Sequence, residues 1–190
     1  MIKYLTCFLL GALSLSYVLD LWLAINQQKP RRKFKEKYLK KKTNLKQQLR
    51  KLFKTQALAV LSTHNQGQPY GSLVAFAGTE DLKEIVFATL RATRKYANII
   101  SDKRVALLID NRSNKTADFR KAAAATAVGS VKEIPKRKNS RLLKIYLKKH
   151  PPLRKFVELP NCALLCVVVK SYFVVNRFQQ VMELHFQKKR

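Results

Sequence analysis

Apolar residues are laid out along the chain in three successive textures. From Leu5 to Ile25 they are nearly continuous, LTCFLLGALSLSYVLDLWLAI, with one charge, Asp20, near the far end. A run of about 20 such residues crosses roughly 30 Å of hydrocarbon as a helix. A cleaved signal peptide, an uncleaved anchor and a core helix can all look like this, and the sequence that follows separates them. A signal peptide ends at a small-residue cleavage site, whereas here Lys29, Arg31, Arg32 and Lys33 follow at once. Such cations hold the C-terminal flank in the cytoplasm. Residues 1–28 are therefore expected to be a single-pass transmembrane anchor with the remaining chain on the cytoplasmic side, and Tyr17 and Trp22 suit an interfacial end of the span.

The second texture, residues 29–54, sets Phe34, Tyr38, Leu45, Leu49, Leu52 and Phe53 among cations, mostly three or four apart. That spacing predicts a helix at least from Thr43, capped by Thr43 or Asn44. The third texture, residues 55–190, consists of short apolar or alternating runs divided by turn residues. Strands are expected over Ala57–Thr63, Tyr70–Gly78 after a turn at Gly67, Glu84–Thr89, Arg104–Asp110, Ala123–Ile134, Ala163–Val175 and Phe178–Phe186. Gly129 marks a bulge or a close backbone approach in the fifth of these. Helical spacing interrupts them over Ala92–Ser101, Lys136–Lys149 and Pro151–Val157. Six or seven strands with helices as insertions predict a mainly β (α+β) domain, most simply a small barrel that closes its own edges. The runs RVALLID and ALLCVVVKSYFVV carry more apolar surface than one inner face would use. A second copy of the chain, or the two helices between Lys136 and Val157, has to cover the surplus; a homodimer is the expectation.

Charge alters the list of partners. The formal net charge is +28 with an isoelectric point near 10.4, and residues 29–54 hold 13 Lys or Arg against one acid, Glu36. A cationic helix beside a membrane span gains roughly 1 kcal/mol per basic residue on anionic lipid, so the basic segment is expected to contact the membrane surface. Nucleic acid is disfavoured, because no aromatic stacking platform or reading motif accompanies the charge. Cys7, Cys162 and Cys166 do not form a disulfide framework, and no His or Cys cluster completes a metal site. His64 and His150 have no partner pattern for metal or nucleophilic chemistry, and there is no P-loop, zincin or nucleophile-elbow motif.

The chemically informative place is FATLRATRKYANI. Arg91, Arg94 and Lys95 cluster there with Thr89 and Thr93 at a helix N-terminus, where free backbone N–H groups and the helix dipole favour an anion. Cations are disfavoured at that end of a helix, so their presence points either to a bound negative charge, most simply a phosphate, or to a solvated basic face in a chain rich in Lys and Arg.

Strand YGSLVAFA, strand EIVFAT, the helix start Thr93-Arg94-Lys95 and strand RVALLIDNRSN follow one another as in the pyridoxamine-5′-phosphate-oxidase-like flavoproteins. The chain from about Leu49 to His185 resembles that family, most specifically over Phe87–Asn114. The resemblance implies an FMN-binding split β-barrel, usually a homodimer with FMN at the subunit interface. It implies that Arg94 and Lys95 hold the FMN phosphate with Thr89 and Thr93 nearby, and that Ser72, Leu73 and Val74 lie along the flavin ring. Asn111, Arg112 and Ser113 become a second contact region that reaches the partner subunit's flavin, and Gln179 a polar ring contact. The C-terminal VVNRFQQVMELHFQKKR does not reproduce the Arg- and His-containing substrate motif of a true pyridoxamine-phosphate oxidase, so the redox substrate is left open. Related split barrels bind haem, one haem-degrading branch through a histidine near the C-terminus, which makes His185 the matching candidate ligand. A deazaflavin would use the same cations as FMN. The sequence thus reads as a membrane-anchored FMN-binding oxidoreductase-like protein. The alternatives are a haem-binding or haem-degrading barrel, or a non-catalytic flavin module recruited to anionic lipid.

Overall fold

A computed structural model describes residues 39–136, 140–176 and 180–186. The expected anchor, the first part of the basic segment and Gln179 lie outside the described residues. Among the described residues no helix is long and apolar enough to cross a membrane. The chain divides into two compact units, Met1–Asn44 and Leu45–Arg190. The described part of the first, residues 39–44, is helical. Thr43 and Asn44 therefore lie within a helix and do not cap one.

The second unit opens with the rest of that helix, α1, which runs over residues 39–55. Among the described residues seven strands follow: β1 Leu58–Asn65, β2 Gln68–Gly78, β3 Glu84–Leu90, β4 Arg104–Asp110, β5 Ala123–Glu133, β6 Cys162–Asn176 and β7 Gln180–His185. Between them lie α2 Arg94–Ser101, α3 Asp118–Lys121, α4 Arg141–Lys149, a single 3₁₀ turn Pro151–Leu153 and α5 Arg154–Glu158. The short α3 was not expected from the sequence. Lys136, expected to begin a helix, instead donates its ammonium to the Val157 and Leu159 carbonyls at 3.0 and 2.7 Å, and α4 starts only at Arg141.

All pairings are antiparallel. The strands run in the order β3-β2-β1-β4-β5-β6-β7, and β3 also pairs with β6, which closes a six-stranded barrel with β7 alongside. β6 is long enough to serve two partners on one edge, since Cys162–Val168 pairs with β3 and Ser171–Asn176 with β7. β2 and β3 pair only from Phe76↔Phe87 to Gly78↔Ile85. Beyond Phe76, β2 stays with β1 while β3 stays with β6. This divergence is the split of the barrel.

The core follows from strand alternation. Leu61, Phe76, Phe87, Leu107, Leu165 and Tyr172 point inward and are buried, each contributing about 1.5–3 kcal/mol by leaving water. α1 plugs the end of the barrel at which β4 finishes. Leu45, Leu49, Leu52 and Phe53 belong to the barrel core, and the Phe53 ring meets Phe76 and Tyr172 edge-on at 5.4 and 6.1 Å. A Cβ on Gly78 would lie 2.2 Å from that ring. The compact unit accordingly starts at Leu45, ahead of the boundary at Thr55 suggested by the charge run. Gly129 is a point of close approach, as expected: the β5–β6 register shifts between Val128 and Gly129, and a Cβ there would sit 2.3 Å from the Val168 carbonyl oxygen.

A second apolar cluster lies outside the barrel, where Leu142, Leu143 and Tyr146 of α4 and Val157 of α5 cover Val86, Ala88, Leu164 and Cys166. This explains why β6 is buried on both faces from Cys162 to Val167. Of the two strand runs thought to need a partner, this half of β6 is covered by the chain's own helices. β4 alternates, with Val105, Leu107 and Ile109 inside and Ala106 and Leu108 only half-buried outside.

Candidate functional site

The split and α2 define the site together. Thr89 lies at the end of β3 where β2 has already parted from it, and the chain turns through Leu90–Thr93 into α2. The Thr93 hydroxyl donates to the Leu90 carbonyl at 2.8 Å and lies 3.1 Å from the Thr89 hydroxyl, so the two threonines fix the turn. α2 is then pinned to the barrel mouth by Asn98, a buried polar residue. Its Nδ2 donates to Thr63 Oγ1 at 3.0 Å, and Thr63 Oγ1 lies 3.4 Å from the Tyr70 carbonyl oxygen. A residue four positions earlier shares the same helix face. That residue is Arg94, and its guanidinium sits over the Tyr70 ring, 5.5 Å from the centroid.

Arg94 and Lys95 therefore open α2 on the β2 side of the split, and α2 has no acidic residue in its first turn. Among the described residues neither cation has an ion pair. Arg91 behaves differently, which corrects its place in the expected cluster. Its guanidinium is tied to the Glu133 carboxylate and donates to the Pro160 and Cys162 carbonyls at 3.1 and 3.2 Å. The Tyr96 hydroxyl completes this group, 2.9 Å from Glu133 Oε2. Arg91 is a structural clamp across β3, β5 and β6, and its partners keep it more firmly protonated than a free guanidinium.

Ser72, Leu73 and Val74 lie on the β2 margin of the same split. Ser72 Oγ is a buried hydroxyl with no hydrogen-bond partner among the described residues. Leu73 points outward and is 64% exposed, and Val74 points into the core. The strand pairings set Ser72–Val74 and Thr89 on the two margins of the split, and Thr93–Lys95 begin the helix that follows, with Arg94 over Tyr70 of β2. Two cations without an ion pair among the described residues at a helix N-terminus suit an anionic group such as a phosphate.

Asn111, Arg112 and Ser113 are elsewhere. They follow β4, which runs from the α2 end of the barrel to the other end, roughly 20 Å away at about 3.3 Å per residue. Asn111 Oδ1 accepts from the Ala123 amide at 2.7 Å and starts β5. Arg112 Nε pairs with Asp110 at 3.2 Å, and the Ser113 amide and hydroxyl both bind Asp118, at 2.7 and 2.9 Å. This loop, with α3, walls a cavity of about 600 Å³ that Leu108, Phe119, Ala124 and Val175 line. Within one chain these residues cannot meet Arg94 and Lys95. His185 is exposed on β7 and lies 2.7 Å from Glu183 Oε2; no cluster of metal-ligating residues occurs among the described residues.

Sequence reasoning missed Tyr70 and Asn98. The signal for Asn98 was present, since a polar residue beside Ile99 on the buried face of a helix needs a partner.

A family profile described as pyridoxamine 5′-phosphate oxidase matches residues 45–175. No protein of curated function matches in sequence. Several solved structures share the fold. General stress protein 26 from Bacillus anthracis is 17% identical with a TM-score of 0.56, over 75% of this chain and 98% of its own. A FAD-binding protein from Mesorhizobium loti is 14% identical with a TM-score of 0.52, over 67% and 89%. A haem-binding protein from Mycobacterium smegmatis is 13% identical with a TM-score of 0.60; the match covers 69% of this chain but only 53% of that one.

Proposed function

The chain belongs to the pyridoxamine 5′-phosphate oxidase family, and on that premise we propose that it is a membrane-anchored, FMN-binding oxidoreductase that works as a homodimer on the cytoplasmic side. The observation that carries the reading is the Arg94–Lys95 pair, held at the α2 N-terminus by Asn98 and without a carboxylate partner among the described residues. Phosphate oxygens at that place accept from both side chains and from the free amides of the first turn. Ser72 Oγ and the backbone of Leu73 and Val74 then flank the ring system. The flavin, when bound, supplies the electron chemistry; the residues of this chain orient it and shield one edge from water.

The homodimer is supported by what one chain leaves open. Outward residues of β1, β2, β4 and β5, among them Leu58, Leu73, Val60 and Leu108, make a continuous apolar face with two of the most exposed large apolar residues, Leu58 at 53% and Leu73 at 64%. A second copy on that face would carry its own Asn111–Ser113 loop toward the first copy's split. Anchoring is supported by the apolar run Leu5–Ile25 and the cations after it. The test is the absorption spectrum and mass of the small molecule that copurifies with the full chain. FMN at one per chain is expected. A Soret band or a deazaflavin mass would replace FMN, and a preparation that neither carries nor takes up any cofactor would contradict the reading.

A further inference from the structure

The helix-covered side of the barrel carries a charged surface that the cofactor site does not use. α4 turns Arg141, Lys144 and Lys148 to solvent, three and four residues apart. Lys144, Lys148 and Arg154 line a groove of about 780 Å³ between α4 and α5, floored by Leu143 and Leu147. Lys148 also lines a neighbouring groove of about 1110 Å³ with Arg141 and, from α1, Arg50 and Lys54. The two grooves share Lys148, so one basic belt runs from α1 across α4 to α5.

Its carboxylates do not neutralise it. Glu80 and Asp81 rim one groove and Glu158 the other. Asp81 already accepts from the Thr79 hydroxyl and the Lys83 amide, and Arg141 is paired with Glu84. The side chains of Lys54, Lys144, Lys148 and Arg154 make no ion pair or hydrogen bond among the described residues. Cations held this close on rigid helices repel one another, and a surface of negative charge relieves them. The two common polyanions are a lipid headgroup layer and nucleic acid. The aliphatic side chains beside the belt, Ile145 and Leu147, are half-buried against the outer cluster, and the one aromatic that lines the grooves, Phe53, is buried, so no base can stack on it. α1 continues the basic segment that follows the apolar run Leu5–Ile25. We propose that the belt docks the barrel itself on anionic lipid headgroups. The domain then lies on the membrane surface through α1, α4 and α5 and leaves the open face of β1, β4 and β5 for a second copy. The proposal rests on the anchored reading for its geometry.

The experiment uses the full chain in lipid nanodiscs of phosphatidylcholine, with or without phosphatidylserine. It follows the rate at which an amine-reactive reagent modifies Lys144 and Lys148, with exposed Lys103 as internal reference. Both belt lysines should react several-fold more slowly on anionic discs while Lys103 is unchanged. Lys54→Glu with Arg154→Glu, which leaves both reporters in place, should bring the rates back to those on neutral discs. Equal rates on the two kinds of disc would overturn the proposal, as would slowing by a single-stranded oligonucleotide on neutral discs that exceeds the effect of phosphatidylserine. A chain that does not enter neutral discs would sink the anchor alone. The belt is then decided by adsorption from solution to anionic discs, which the double substitution should abolish and which, if absent, would also overturn it.

Discussion

The outer surface of this barrel is finished in two ways, and the contrast separates what holds the fold from what is left for binding. Over β3 and the first half of β6, the outward side chains Val86, Ala88, Leu164 and Cys166 lie under α4 and α5 and are buried. Over β1, β2 and β4, no helix buries the outward side chains: Leu58 and Leu73 are exposed and Ala106 and Leu108 only half-buried. These outward side chains are apolar in both places. A β-strand cannot show by its own pattern which of its faces a helix will cover, so the difference arises from where the chain after β5 returns.

Breaking the covered side should have the largest effect. Tyr146 is 1% exposed at the centre of the outer cluster, and Tyr146→Ala should destabilise the domain by about 3–5 kcal/mol, read as the midpoint of chemical denaturation. A loss below 1 kcal/mol would mean that α4 is not part of the folded unit. On the open side the same kind of change should act on association. Leu58→Asp should leave the stability of an isolated subunit within about 0.5 kcal/mol but weaken the proposed dimer by about 2 kcal/mol, a hot-spot loss. Sedimentation at a series of concentrations reads this directly, and an unchanged association constant would remove β1 from the interface.

Between the two surfaces stands α2. Asn98→Ala removes its buried link to Thr63 and should cost about 1–2 kcal/mol of stability. Flavin affinity should fall as well, because Arg94 would no longer be held over Tyr70. A variant that loses stability and keeps its flavin affinity would show that Asn98 is structural only.

The smallest effect is a pH dependence. Lys149 donates to the Phe53 carbonyl at 2.6 Å and lies 3.8 Å from the Phe76 ring centroid, and burial lowers its pKa to about 8. Between about pH 8 and its unfolded value near 10.4, the unfolded chain binds more protons than the folded one. Stability due to this group therefore rises with pH across that window and is flat below it. The Phe53 carbonyl and the Phe76 ring favour the charged form and the side chain is only half-buried, so the change stays within about 1 kcal/mol. Comparing unfolding midpoints of the native chain and Lys149→Met at pH 8 and pH 10 checks the sign.

The strands were legible because turn residues bound each apolar run, and the break at Gly129 was legible because a glycine inside a strand rarely has another purpose. The pair of cations at a helix start was legible at Arg94 and Lys95, and α2 does begin at Arg94 with no acidic residue in its first turn. Arg91 could not be told from its neighbours, because Glu133 comes within reach only when β5 and β3 both pair with β6. α3 escaped notice because its four residues sit in a polar loop whose order comes from Asp118 binding Ser113. The opposite placement of Asn111–Ser113 and Arg94–Lys95 is a matter of strand direction, which residue pattern does not carry.

The central claim is that Arg94 and Lys95 bind a flavin's phosphate, and the most direct measurement compares FMN with riboflavin, which lacks it. Two charge-assisted contacts at about 1.5–3 kcal/mol each predict that the native chain binds FMN at least about 100-fold more tightly than riboflavin. In Arg94→Ala with Lys95→Ala that preference should fall to within a few-fold, with riboflavin affinity little changed. Equal affinity of the native chain for the two flavins, or a preference that survives in the folded double variant, would contradict it.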